Sequence, residues 1–134
     1  MMTATVLYTR DWAFEYSMGM AAAVEQGRDH TVDPDRYRRI VVRVYDKPED
    51  DAKVLNGTYR TMNAVDGDEL CCQLRVRSMS VGDIVRIERD RQVEYHMVLG
   101  AGFGKLSLAR KEELERYFFP AGPNAVVDLP FVMA

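Results

Sequence analysis

Nine consecutive residues, Arg77-Ser78-Met79-Ser80-Val81-Gly82-Asp83-Ile84-Val85, restrict the fold of this chain more than any other stretch. Ser78 and Ser80 can hydrogen-bond their own backbone, and Gly82 can take a positive φ with no Cβ clash. Asp83 can fold its carboxylate back onto turn amides. A strand follows directly, because Val85 and Ile87 alternate with Arg86 and Glu88 at the period of two that marks a half-buried strand. A second strand, Val93 to Leu99, joins it through a hairpin around Asp90 and runs on to Gly102-Phe103. All of this is scaffold chemistry, and no reactive set of side chains comes with it. Gly82 should occupy a turn that a β-carbon would oppose, and Val85, Ile87, Tyr95 and Met97 should share one core. Arg86, on the opposite face, should tolerate alanine at a cost within about 0.5 kcal/mol.

The rest of the chain supplies partners for that hairpin. Thr5 to Thr9 reads as a first strand, and Asp11 is placed to cap a helix from Trp12 to about Gln26. Ile40 to Tyr45 is a second strand. Pro48 suits the first turn of a helix whose stripe is Ala52, Leu55, Tyr59 and Met62. Asp66-Gly67-Asp68 reads as a turn, and Gln73 to Arg77 as a further strand. Ser107 can cap a last helix through Phe118, with Leu114, Tyr117 and Phe118 facing inward, before Pro120 and Pro123 end it. Three successive strands between residues 73 and 99, with two to three helices packed on one face, make a small α+β domain with a mainly antiparallel meander. The chain of 134 residues is long enough for a single core spanning residues 1–134.

Charge and cysteine usage narrow the functional classes. A formal net charge of −3 is too acidic for a general nucleic-acid binder and too weak to imitate the charge density of DNA. Cys71 and Cys72 are adjacent, so a bridge between them would be strained. A reduced, cytoplasmic setting is the expectation, with no signal peptide and no membrane span. Two histidines, His30 and His96, and no Cys-x-x-Cys spacing argue against a metal site, so no metal and no cofactor are expected. Gly100 to Lys105 fails as a phosphate loop: the position for the first glycine is Leu99, and Lys105 is followed by Leu106. Asp66 to Glu69 has too few oxygen donors for a calcium loop.

The run from Ile40 to Phe103 resembles small uncharacterised proteins of bacteriophages, plasmids and actinobacterial mobile elements, and the YodL-like domains found in them. Their mark is an Arg-Ser-Leu-Ser-Val-Gly-Asp-Val-Val motif followed by a Tyr-containing strand ending in Gly-Phe. Arg77, Ser78, Ser80, Val81, Gly82, Asp83, Val85, Tyr95, Gly102 and Phe103 match it, while Met79 and Ile84 replace Leu and Val. The Tyr59-Arg60-Thr61-Met62-Asn63 segment is similar to the helix end that precedes the motif in those proteins. The resemblance implies a motif-bearing core over residues 40–103, with an N-terminal strand–helix and a C-terminal helix and tail as extensions. It implies a bacterial host, and it carries no assigned activity.

Arg43, Arg75, Arg77 and Arg86 fall on the polar side of their strands and could share one sheet face. Against them, the span from Asp46 to Glu69 holds seven acidic and three basic residues, net −4. A dipolar surface of this kind suits charge-complementary docking on a protein partner. The favoured reading is therefore a non-catalytic protein-binding module of phage or mobile-element origin, acting on a host or defence protein. One alternative is a nucleic-acid-binding module using the arginine face, with Tyr45 as a stacking platform. Another is a small enzyme pairing Cys71 or Cys72 with His96 and an acid such as Asp83.

Overall fold

The computed structural model describes residues 2–10, 13–28, 32–45, 47, 49–63, 77–90, 92–120 and 132–133. Six strands form one sheet: β1 (Met2–Thr9), β2 (Tyr37–Tyr45), β3 (Ile84–Arg89), β4 (Gln92–Val98), β5 (Phe103–Lys105) and β6 (Val132–Met133). Three helices accompany them: α1 (Phe14–Glu25), α2 (Asp51–Met62) and α3 (Leu108–Phe118). The strand order is β5-β4-β3-β1-β2-β6, antiparallel throughout except for the β2–β6 pair. The molecule is thus a small α+β domain with a mainly antiparallel sheet, as the strand and helix patterns predict. The expected strand over residues 73–76 and the turn at Asp66 lie outside the described residues. β1, read from the sequence as part of an extension, lies near the middle of the sheet between β3 and β2.

Helices cover both faces of the sheet rather than one. On the first face, Met2, Ala4, Val6 and Tyr8 of β1 and Val85 and Ile87 of β3 pack with Val54, Leu55 and Met62 of α2. On the second, Leu7, Ile84, Tyr95 and Met97 pack with Met20 and Ala21 of α1 and Leu114 and Phe118 of α3. Val85 and Ile87 therefore do not share a core with Tyr95 and Met97. The reason is the length of the hairpin loop. The Arg89–Gln92 pair closes it over two residues, with Asp90 at φ 47°. That closure sets odd positions of β3 opposite even positions of β4, so Arg86 faces Tyr95 and Ile87 faces Glu94.

Local chemistry explains the helix ends. Asp50 caps α2 by accepting from the Ala52 N–H at 2.7 Å, so the helix begins at Asp51, later than the start at Pro48 read from the sequence. The buried stripe of α2 is Val54, Leu55, Thr58, Thr61 and Met62, while Ala52 and Tyr59 are exposed. The helix is rolled from the expected stripe because Val54 and Leu55, side by side, both reach the sheet. Ser107 caps α3 as anticipated, but Tyr117 lies outside and is half exposed. At α1 the N-cap is Ala13, with no side-chain cap; Asp11 lies outside the described residues.

The turn before β3 takes the form its sequence predicts. Gly82 has φ 94°, and an added β-carbon would stand 2.5 Å from Ser17 Cβ and 2.7 Å from the Ser17 carbonyl oxygen. The missing side chain thus serves both the turn and the close approach of α1. Gly82→Ala is expected to destabilise the domain by about 1–3 kcal/mol through backbone strain, before any shift of α1 is counted. A thermal melt checks this, and a wild-type midpoint would contradict it.

Candidate functional site

Asp83 is fully buried and anchors the turn. Its Oδ1 accepts from the Thr9 N–H at 2.9 Å, the Thr9 hydroxyl at 3.1 Å and Arg77 Nη2 at 2.8 Å. Its Oδ2 accepts from Arg77 Nη1 at 2.7 Å and the Ser80 N–H at 2.8 Å. Arg77 is bidentate here, and its second nitrogen also donates to the Thr9 carbonyl at 2.9 Å. Its guanidinium lies 4.9 Å from the centre of the Tyr8 ring. Arg77 also donates to the Ser78 carbonyl and the Ser80 hydroxyl. The arginine thus ties the start of β3 to the end of β1, and its donors are engaged by the fold.

Arg86 departs furthest from expectation, being 1% exposed beneath α3. Its Nε and Nη2 donate to the Glu115 carboxylate, and its Nη1 donates to Glu88 at 2.9 Å. The Tyr95 hydroxyl donates to the same Glu115 at 2.6 Å, and the Phe119 ring centre lies 3.7 Å from the guanidinium. Burial alone would lower the arginine's pKa, but the hydrogen bond to Glu115, together with the neighbouring Tyr95 and Glu88, outweighs this and holds it cationic. Tyr95, buried and bonded to Glu115, has its phenol pushed well above the ordinary range. The polar residues of β3 are therefore covered by α3, and Arg77 and Arg86 do not form a shared solvent-facing surface. The Arg43 side chain and all of Arg75 lie outside the described residues. Gly102 has φ 77°, and its carbonyl accepts from the Leu99 N–H at 2.9 Å, which turns the chain into β5 at Phe103.

With these charges committed to the fold, the accessible feature is the outer edge of β4. Pairing with β5 covers only His96, Met97 and Val98, and the last bond is Leu106 N–H to the Tyr95 carbonyl at 2.9 Å. Among the described residues, no strand flanks Gln92, Val93 and Glu94 on that side. A groove of about 510 Å³ runs along this edge, lined by these residues and by Lys105, Leu106, Leu108 and Lys111. Leu108, the first residue of α3, is 66% exposed beside it. Sequence reading placed β4 correctly but missed the edge. The edge exists because the Phe103–Lys105 strand is short and leaves the first half of β4 uncovered.

His96 points to the α2 side of the sheet, next to Glu94 at 3.3 Å. The cysteines proposed as its partners lie outside the described residues. Among the described residues, no helix is long and apolar enough to cross a membrane. No protein-family model, curated protein or solved structure matches the chain.

Proposed function

We propose that this chain is a non-catalytic protein-binding module that accepts an extended segment of its partner along the open half of β4. The supporting observation is the uncovered Gln92–Glu94 edge beside the exposed Leu108. An open strand edge offers unpaired N–H and C=O groups, and native sheets that leave one uncovered expose a template for another chain. Main-chain bonds to such an edge supply affinity, while flanking pockets select side chains. Here Leu108 offers an exposed apolar contact, and Lys111 favours a segment carrying acidic residues. The motif resemblance supports a setting in a phage, plasmid or other mobile element, with a host or defence protein as the partner. Arg86 is buried and Arg77 is engaged by Asp83, which weakens support for the nucleic-acid alternative.

Crosslinked capture from bacterial lysates tests the proposal, using the wild-type chain, Leu108→Glu and Val93→Pro. The proline removes an edge N–H, a change that edge strands tolerate. The wild type is expected to retain a stoichiometric protein partner, and both variants should lose most of it while keeping their fold by circular dichroism. Absence of such a partner across several hosts would refute the binding reading. Equal capture by all three proteins would remove this edge as the surface. A low-salt mobility shift with DNA or RNA would favour the nucleic-acid reading instead.

A further inference from the structure

The first turn of α2 and the middle of β4 bring together three side chains that are far apart in sequence. Asp51, Glu94 and His96 each present one oxygen or nitrogen, and these atoms all lie within 4.8 Å of one another. We infer that Asp51, Glu94 and His96 form a binding site for a divalent transition cation of the zinc type. Glu94 and His96 are two apart on one strand, so both point to the α2 face, where Asp51 meets them. His96 is 8% exposed, which limits how far its ring can turn away.

One separation in the set matches such an ion, and the others lie within 4.8 Å. Ligands at about 2.0–2.1 Å on a tetrahedral centre stand about 3.3 Å apart. The separation of His96 Nε2 and Glu94 Oε2 is 3.3 Å. Mixed imidazole and carboxylate donors suit zinc better than calcium or magnesium, which prefer oxygen alone.

Neighbouring cations do not occupy the site. Lys105 takes Glu94 Oε1 at 3.1 Å and leaves Oε2 facing the histidine. Arg89 holds one oxygen of Asp51. These positive charges weaken any bound cation by repulsion, so the site is a modest one. Three protein donors leave a fourth position for water or a partner's side chain.

Titration calorimetry with zinc chloride tests the inference on the full chain, alongside Glu94→Gln, Asp51→Asn, His96→Gln and a Cys71→Ser/Cys72→Ser double variant. One ion per wild-type chain is expected, with affinity lowered at least about tenfold by each ligand substitution and kept in the cysteine variant. Glu94 and Asp51 are partly exposed, so their variants remain informative even if His96→Gln fails to fold. No zinc binding, affinity unchanged in Glu94→Gln and Asp51→Asn, or binding lost only with the cysteines would overturn it. The test needs no protein partner, so its outcome is independent of the edge proposal.

Discussion

Arg86→Ala is expected to destabilise the domain by about 3–5 kcal/mol, the cost of removing one member of a buried ion pair. The substitution strips Glu88 and Glu115 of their shared cation and opens a space against Phe119. Chemical denaturation should show a lower midpoint. Arg86→Met combined with Glu115→Leu should recover part of the loss, because the Glu115 charge is then removed together with its partner, while Glu88 still loses Arg86. The Tyr95 hydroxyl would lose its acceptor in that variant, which limits the recovery. A cost within about 0.5 kcal/mol for the alanine variant would place Arg86 on an open surface and contradict the docking of α3.

Asp83→Ala should be comparably severe, at about 3–5 kcal/mol. One fully buried carboxylate accepts from five donors drawn from β1, the turn and Arg77. Its removal leaves the Thr9 and Ser80 amides without their acceptor and the Arg77 guanidinium without its carboxylate. Asp83→Asn should fall between alanine and the wild type, since one oxygen remains while the new amide nitrogen faces donors. Arg77→Lys should not substitute well, because a single ammonium cannot form both parallel bonds. Urea melts of the three variants check the order. If Asp83→Ala melts with the wild type, the clamp contributes nothing to the fold.

The local elements were legible in the sequence, and their faces were not. Gly82, Asp90 and Ser107 each carry a backbone requirement that the residue type satisfies by itself, so the turns and the cap were readable. Alternation over Ile84 to Glu88 identified a strand correctly, but period two says only that two faces differ. It cannot say that both are covered. Arg86 lies inside because α3, which begins 22 residues later in the chain, delivers Glu115 to it. The same limit hid the cluster at Asp51. Glu94 and His96 advertise a common face, but their third companion comes from a helix across the sheet. The groove on β4 depends on where β5 stops, which no residue of β4 encodes.

The position of β1 bears on how the protein is made. Leu7 pairs with Ile84 and Val6 with Val85, so one side of this apolar strand is completed only after more than half the chain has been synthesised. The other side pairs with β2 much sooner. At about 5–20 residues per second, a nascent β1–β2 hairpin must wait several seconds on the ribosome with a hydrophobic edge unsatisfied. During that interval it is open to pairing with another nascent copy, and chaperone holding of the emerging chain would raise the yield of folded protein.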